Sequence, residues 1–304
     1  MSEHPLTTVS IVIASAAGGG FLFRCLESLR HQAGGARVET IVVDRCGVER
    51  CSEIEGRFPF ARVIHEGGSP APTVPQLRAR GVREARGEVL AVLEEHCVAP
   101  ADWITAIRKA FETEGVTATG GPIHHDDFDR SRDWVVYLCE YHSYLPPWSD
   151  GERASLNGAN IAYRKHALSA HLGRLGTGYW EVVLNPRLLE EGALFWASQG
   201  MGVRHTGPFD YGYYLRQRYL LSRGWGGTQR DQVGAAQRLL YLAGAPLFPV
   251  LLLARIGAAV IRSDVPFRKY LMALPALVPA AVAYVWGEWL GYLIGPGDAL
   301  EKVE

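Results

Sequence analysis

The sequence has no excess of charge of either sign: 31 Lys and Arg stand against 32 Asp and Glu in 304 residues. That balance removes the global positive field a nucleic-acid binder needs, so nucleic acid is not an expected partner. It also lacks a CxxC pair. The five cysteines, Cys25, Cys46, Cys51, Cys97 and Cys139, are scattered and odd in number, which argues against a disulfide framework or a structural zinc site and for free thiols in a reducing compartment. The opening MSEHPLTT has neither a basic segment nor a long apolar one, so no secretory signal is read there. Neither GxxxxGK[ST] nor GxGxxG occurs at the triple glycine of residues 18–20, which reads as a turn before a helix.

Two long apolar runs are present, at residues 239–261 (LLYLAGAPLFPVLLLARIGAAVI) and 270–294 (YLMALPALVPAAVAYVWGEWLGYLI). Each is long enough to cross a hydrocarbon layer about 30 Å thick. Arg255, Pro246 and Pro249 interrupt the first, and Pro275, Pro279 and Glu288 the second, all unfavourable in a span. Three arrangements stay open: a spanning hairpin, a hairpin at the interface, and a buried soluble helix pair. Membrane lipids are the expected partner. The basic turn with Arg262, Arg268 and Lys269 favours a shallow hairpin on the cytoplasmic side of the cytoplasmic membrane. The change of composition divides the chain into an α/β domain at 1–230 and a helical hairpin with a short polar tail at 231–304.

Within the α/β part, VSIVIAS (9–15) reads as a buried strand, and FLFRCLESLRHQ as a helix with Phe21, Leu22, Cys25, Leu26 and Leu29 on one face. VETIVVDRC (38–46) reads as a second strand ending at Asp44. This order predicts a Rossmann-type, mostly parallel sheet flanked by helices. A helix from Val74 to Ala85 is expected to close at Gly87 as a left-handed cap. A strand over 88–93 then delivers Glu94, Glu95 and His96 at its carboxyl end, the edge where open α/β sheets bind ligands. ADWITAIRKAFE predicts a helix with Asp102 as N-cap and Trp103, Ile107, Ala110 and Phe111 inward.

In this order, VSIVIAS…VETIVVD, RARGVREARGEVLAVLEEHCVAPADW, LNGANIAYRKHAL, YWEVVLNPRLLEEG and FDYGYYLRQRYLLSRGWGG resemble the inverting family-2 glycosyltransferases of the GT-A fold. The resemblance implies a GT-A-like sheet and a uridine- or guanosine-type nucleotide sugar as donor. It implies that Ser15 and Asp44 cradle the nucleobase and ribose, and that Arg80 meets the phosphates. Glu94 and His96 would occupy the outer positions of the metal-binding DxD motif, with Glu95 reaching sugar or ribose hydroxyls. Asn157 and Asn160 would line the donor sugar, the alternative being turn residues. Glu181 would be the catalytic base, Gln217 and Arg218 would close over the donor, and His205 would complete the metal shell. The sequence departs from the family at DRC after the second strand, at EEH in place of DxD, and at Trp180, where the first acid of an ED pair stands in the family.

Sugar transfer from a nucleotide expels a diphosphate, whose charge a divalent cation can neutralise. An imidazole ligand favours Mn2+ over Mg2+; the alternative is that His96 only hydrogen-bonds the diphosphate. Inversion needs one base opposite the leaving group. Glu181 follows GTG (176–178) at a helix start that favours a carboxylate, where it could equally serve only the dipole. Trp180 reads as a sugar-stacking or a core residue. The histidines and aspartates of GGPIHHDDFDR (120–130) read as a solvated loop, or as acceptor contacts. The expected function is transfer to a hydroxyl of a lipid-linked or surface saccharide at the cytoplasmic face of the membrane. The rival readings are a nucleotidyltransferase and a non-catalytic membrane scaffold.

Overall fold

The computed structural model describes residues 8–16, 19–33, 37–173, 175, 180–230 and 232–302. It forms two compact units, Met1–Asp126 with Pro147–Thr206, and Asp127–Pro146 with Gly207–Glu304. The division therefore falls differently from the compositional one at residue 230: residues 207–230 and a segment from the middle of the chain pack with the C-terminal helices.

Along the first unit run β1 (Val9–Ser15), α1 (Gly20–Ala33), β2 (Val38–Asp44), α2 (Val48–Arg57), β3 (Ala61–His65), α3 (Val74–Glu84), β4 (Val89–Leu93), β5 (Cys97–Val98), α4 (Trp103–Glu112), β6 (Val116–Gly120) and β7 (Ile123–His125). After α5 (Ser131–Tyr141), which belongs to the second unit, come β8 (Gly151–Glu152), β9 (Asn160–Arg164), α6 (Lys165–Ser169), α7 (Trp180–Glu190), β10 (Leu194–Ala197) and β11 (Val203–His205). Eight strands form one sheet in the order β3-β2-β1-β4-β9-β6-β10-β8. Only β9 and β8 run against the rest. The β-branched runs of β1 and β2 supply its buried centre, as strands covered on both faces require. β1 pairs with β2 on one side and β4 on the other. Strand order thus reverses at β1, and a crevice opens beyond the carboxyl ends of β1 and β4.

Two glycines set how closely the helices and turns approach this sheet. A Cβ on Gly81 of α3 would lie 2.4 Å from Val12 Cγ1, so α3 lies directly on β1. Gly87 is not the left-handed cap expected. It is absent from the positive-φ glycines among the described residues, and a Cβ there would lie 2.6 Å from the Ser10 backbone nitrogen. Its role is close approach, with its N–H donating to Ser10 Oγ at 2.7 Å. Asp102 precedes α4 without a capping side-chain bond. Gln32 of α1 accepts from Ile104 N–H at 3.0 Å instead, while Trp103, Ile107, Ala110 and Phe111 are buried as expected.

The loop expected at 120–130 is in part a strand. β7 joins β5 and β11 in a three-stranded sheet, with His125 opposite His205 and His205 opposite Cys97. The ladder satisfies backbone groups that a loop would leave to water, and Asp126 beyond it pairs with Arg204 at 3.1 Å.

The second unit comprises α5, α8 (Tyr211–Gln229), α9 (Ala235–Gly244), α10 (Phe248–Ile261), α11 (Phe267–Ile294) and α12 (Ala299–Lys302). Small residues let α8 and α11 touch: a Cβ on Gly287 would lie 2.3 Å from the Tyr219 carbonyl, and one on Gly291 2.4 Å from that of Arg223. α9 and α10 run back along α11, with Trp289 Nε1 donating to Leu242 O at 3.2 Å and Tyr270 Oη to Leu253 O at 2.9 Å. The two apolar runs are not a buried soluble pair, because Leu251, Met272 and Trp286 are more than half exposed.

Gly81→Ala should destabilise the protein by about 1–3 kcal/mol, the usual cost of forcing an extra methyl into a packed interface. Chemical denaturation monitored by circular dichroism checks this; an unchanged midpoint would contradict the close α3–β1 contact.

Candidate active site

The crevice is built from the ends of β1, β2 and β4. The β1–β2 register pairs Ser15 with Asp44, so both point the same way, and Ser15 Oγ donates to Asp44 Oδ2 at 2.6 Å. The Cys46 N–H donates to Asp44 Oδ1 at 2.7 Å. Ser15 and Asp44 are fully buried, and Asp44 is thereby fixed in orientation. Across the crevice, Ala16 N–H donates to Glu95 Oε1 at 3.0 Å, tying the end of β1 to the turn after β4. The Cys46 thiol feels both sides: burial pushes it up, and the charges of Asp44 and then Glu95 push it further.

In that turn, Glu94 N–H donates to Ala159 O at 2.9 Å, and His96 O accepts from Thr206 N–H at 2.9 Å. The His96 ring lies 4.1 Å from the Phe21 ring and 5.8 Å from that of His205. β5–β11 pairing holds His205 opposite Cys97, beside His96. Burial pulls His205 down to about 4, partly opposed by Glu94 and reinforced by His96. A neutral imidazole at neutral pH keeps the lone pair that a metal ligand needs. The two imidazoles thus lie near each other, and the Glu94 charge reaches His205; imidazole and carboxylate are ligand types that suit a divalent transition ion.

A second group of metal-type ligands is more compact. The ligand atoms of Asp44, Cys51 and His65 all lie within 4.8 Å of one another. Asp44 there is already engaged by Ser15 and Cys46. Burial, then the charge of Asp44, pushes the Cys51 thiol up, away from the thiolate form that binds metals.

Glu181 lies in the first turn of α7; the GTG turn before it and the Trp180 side chain fall outside the described residues. Its Oε2 is 3.8 Å from an Arg78 guanidinium nitrogen. The carboxylate lies over Gly158, where a Cβ would come within 2.5 Å of Oε2. Gly158 adjoins Ala159, whose carbonyl holds Glu94. A continuous set of contacts therefore links Glu181, Glu94, Glu95 and Asp44 within the first unit.

For five of the residues singled out in the sequence, the structure shows partners within the protein. Arg80 faces outward on α3 and pairs with Glu66 at 3.2 Å and Glu84 at 2.9 Å; the arginine beside Glu181 is Arg78, nearly buried. Helical spacing carried that signal: Arg78 shares the inward face with Gly81 and Val82, whereas Arg80 and Glu84 form a half-buried i,i+4 pair. Asn160 is fully buried and used up by the fold, accepting from Trp103 Nε1 at 3.0 Å and donating to Met201 O at 2.6 Å. Asn157 Oδ1 accepts from Ala159 N–H at 2.8 Å and shapes the turn carrying Gly158. Gln217 and Arg218 belong to the second unit. Gln217 donates to Lys302 O at 3.4 Å, and Arg218 pairs with Glu140 at 3.1 Å and stacks over Tyr284.

Comparison with known proteins agrees with the fold. Residues 10–172 match the model of the family described as Glycosyl transferase family 2. A search of curated proteins gave no match. Among solved structures, the chain is similar to the mannosyltransferase PcManGT from Pyrobaculum calidifontis in complex with GDP-Man and Mn2+ (TM-score 0.54, 16% identity, 93% of this chain and 88% of that one). It is similar to S. aureus TarS 1–349 in complex with UDP-GlcNAc (TM-score 0.54, 12% identity, 92% and 90%). It also resembles GalNAc-T7 with UDP, GalNAc and Mn2+ (TM-score 0.51, 16% identity, 68% and 45%). At these identities the likeness is one of fold.

Asn160→Leu should cost about 1–3 kcal/mol by stranding buried partners while leaving nucleotide affinity within about twofold, under half a kcal/mol. Denaturation and calorimetric titration together check this; lost affinity in a variant of unchanged stability would return Asn160 to the donor site.

Proposed function

The chain belongs to glycosyl transferase family 2, and from that membership we propose that it transfers a hexose with inversion from a nucleotide sugar to a hydroxyl acceptor. The observation that best supports this reading is the linkage of Glu181 through Gly158 and Ala159 to the turn at Glu94. In this reading Glu181 serves the acceptor and the turn at Glu94 serves the leaving diphosphate.

In this reading the nucleoside, of uridine or guanosine type, lies at the end of β1. Asp44, oriented by Ser15 and the Cys46 N–H, keeps lone pairs to accept from a base N–H or a ribose hydroxyl. Arg78 offers its guanidinium to the phosphates, a role better suited to its buried position than to Arg80. Glu94, His96 and His205 would hold a divalent ion, which when bound supplies a Lewis acid for the departing diphosphate. Two imidazoles favour Mn2+ over Mg2+. Glu95, occupied by the Ala16 N–H, braces the β1 loop instead of reaching a sugar hydroxyl. Glu181 removes the acceptor hydroxyl proton as the new bond forms, and Arg78 positions its carboxylate.

The acceptor is a lipid-linked or surface saccharide. What supports this reading is the pair of apolar stretches, Ala235–Ile261 and Phe267–Ile294, long and apolar enough to cross a membrane. A catalytic domain held at the cytoplasmic face would meet such an acceptor in two dimensions.

Glu181→Gln should keep donor binding, measured by calorimetry with Mn2+, and lose about 10²–10⁴-fold in transfer, the usual span for a general base. Gly158→Ala, which crowds the Glu181 carboxylate, should move transfer in the same direction. Unchanged turnover in Glu181→Gln would remove it from the role of base. His205→Ala should weaken Mn2+ binding, read from the paramagnetic resonance of free Mn2+ without any turnover; an unaltered Mn2+ isotherm would leave His205 outside the metal shell.

A further inference from the structure

The structure assigns the C-terminal helices to one leaflet: we infer that α10 and α11 lie in the plane of an anionic bilayer surface instead of crossing it. This inference rests on the membrane association proposed above and adds how the chain is seated. Length and hydropathy alone permit a crossing, since both apolar stretches exceed 25 residues. What α11 carries along its side decides otherwise.

α8 runs alongside α11 and in the same direction. Tyr211 Oη donates to Ala276 O at 2.5 Å, the Arg218 guanidinium lies 4.7 Å from the Tyr284 ring centre, and Gly226 abuts Glu288. A helix rises about 1.5 Å per residue, so in an upright α11 Tyr284 would stand within about 6 Å of the midplane. Arg218, its partner Glu140 and the neighbouring Arg216 and Arg223 of α8 would then be carried to hydrocarbon depth. Ionic groups there are strongly disfavoured.

Laid flat, the same helices satisfy both environments. The exposed positions of α11 at Leu271, Pro275, Val278, Val282 and Trp286 are three or four residues apart and form one apolar stripe. The opposite face, with Ala273, Leu277, Ala280, Gly287 and Gly291, is buried. α10 adds Val250 and Leu251, both about three-fifths exposed. Residues 235–294 contain five basic residues (Arg238, Arg255, Arg262, Arg268, Lys269) and two acidic ones (Asp264, Glu288). Arg262 and Arg268, in and just after the turn, are exposed. An apolar stripe flanked by arginines matches acyl chains beneath anionic headgroups.

The test adds the full-length chain to preformed vesicles of phosphatidylcholine with a minority of phosphatidylglycerol. An impermeant maleimide is applied outside to Asp264→Cys, with the wild type, whose Cys46 is exposed, as the reference. One additional thiol labelled before detergent is expected. Labelling only after detergent would mean that the turn has crossed, overturning in-plane seating while leaving membrane association intact. Failure to sediment with vesicles, with or without self-association, would overturn both. In a second measurement, Arg262→Gln/Arg268→Gln should bind these vesicles about thirtyfold more weakly, roughly fivefold per arginine. An affinity unchanged from wild type would overturn the headgroup contact.

Discussion

The reversal of strand order at β1 is the constraint on which the rest of the site depends. Because β2 lies on one side of β1 and β4 on the other, the chain leaving β1 and the chain leaving β4 diverge, and backbone N–H groups at the rim are left without strand partners. The Ala16 N–H meets the Glu95 carboxylate across this opening, while Asp44 receives the Ser15 hydroxyl and the Cys46 N–H. The register must be correct for this to occur. A slip of one residue between β1 and β2 would turn Asp44 to the opposite face of the sheet, and the buried runs of both strands hold it in place.

Polar residues near the crevice divide according to what the fold asks of them. Asn160 and Glu95 serve buried donors and acceptors, and a buried amide or carboxylate relieved of such a duty would leave its partners unpaired. Asp44 is held yet keeps lone pairs, and Glu181 is a third exposed on its side chain. His205, buried and neutral, is preorganised as an electron-pair donor. EEH stands where a DxD motif is expected, and in the proposed reading a longer carboxylate and two imidazoles take the place of the aspartates.

The second unit uses a different solution. Arg218, largely covered, pairs with the half-buried Glu140 and stacks on Tyr284, and its aliphatic stem helps to fill the space between α8 and α11. Glycines at 226, 287 and 291 bring the backbones together. Apolar side chains that would ordinarily close such a core face outward instead, and this outward face is the one that the proposed seating places against lipid.

Much of this was legible in the sequence because it rests on local periodicity. Alternation and apolar runs marked β1, β2 and β4, helical spacing marked the inward faces of α1 and α4, and the Glu94, Glu95 and His96 trio was recognisable as the end of a strand. Spacing also contained the distinction between Arg78, on the inward face of α3, and Arg80, the one to which motif resemblance pointed and which pairs with Glu66 and Glu84. The partners of Asn160, the ladder that recruits His125 beside His205, the close approach at Gly87, and the placement of Arg218 in the second unit were decided by tertiary structure. Each depends on segments tens of residues apart meeting in space, and a pattern read along one segment carries no information about which distant group will arrive to satisfy it.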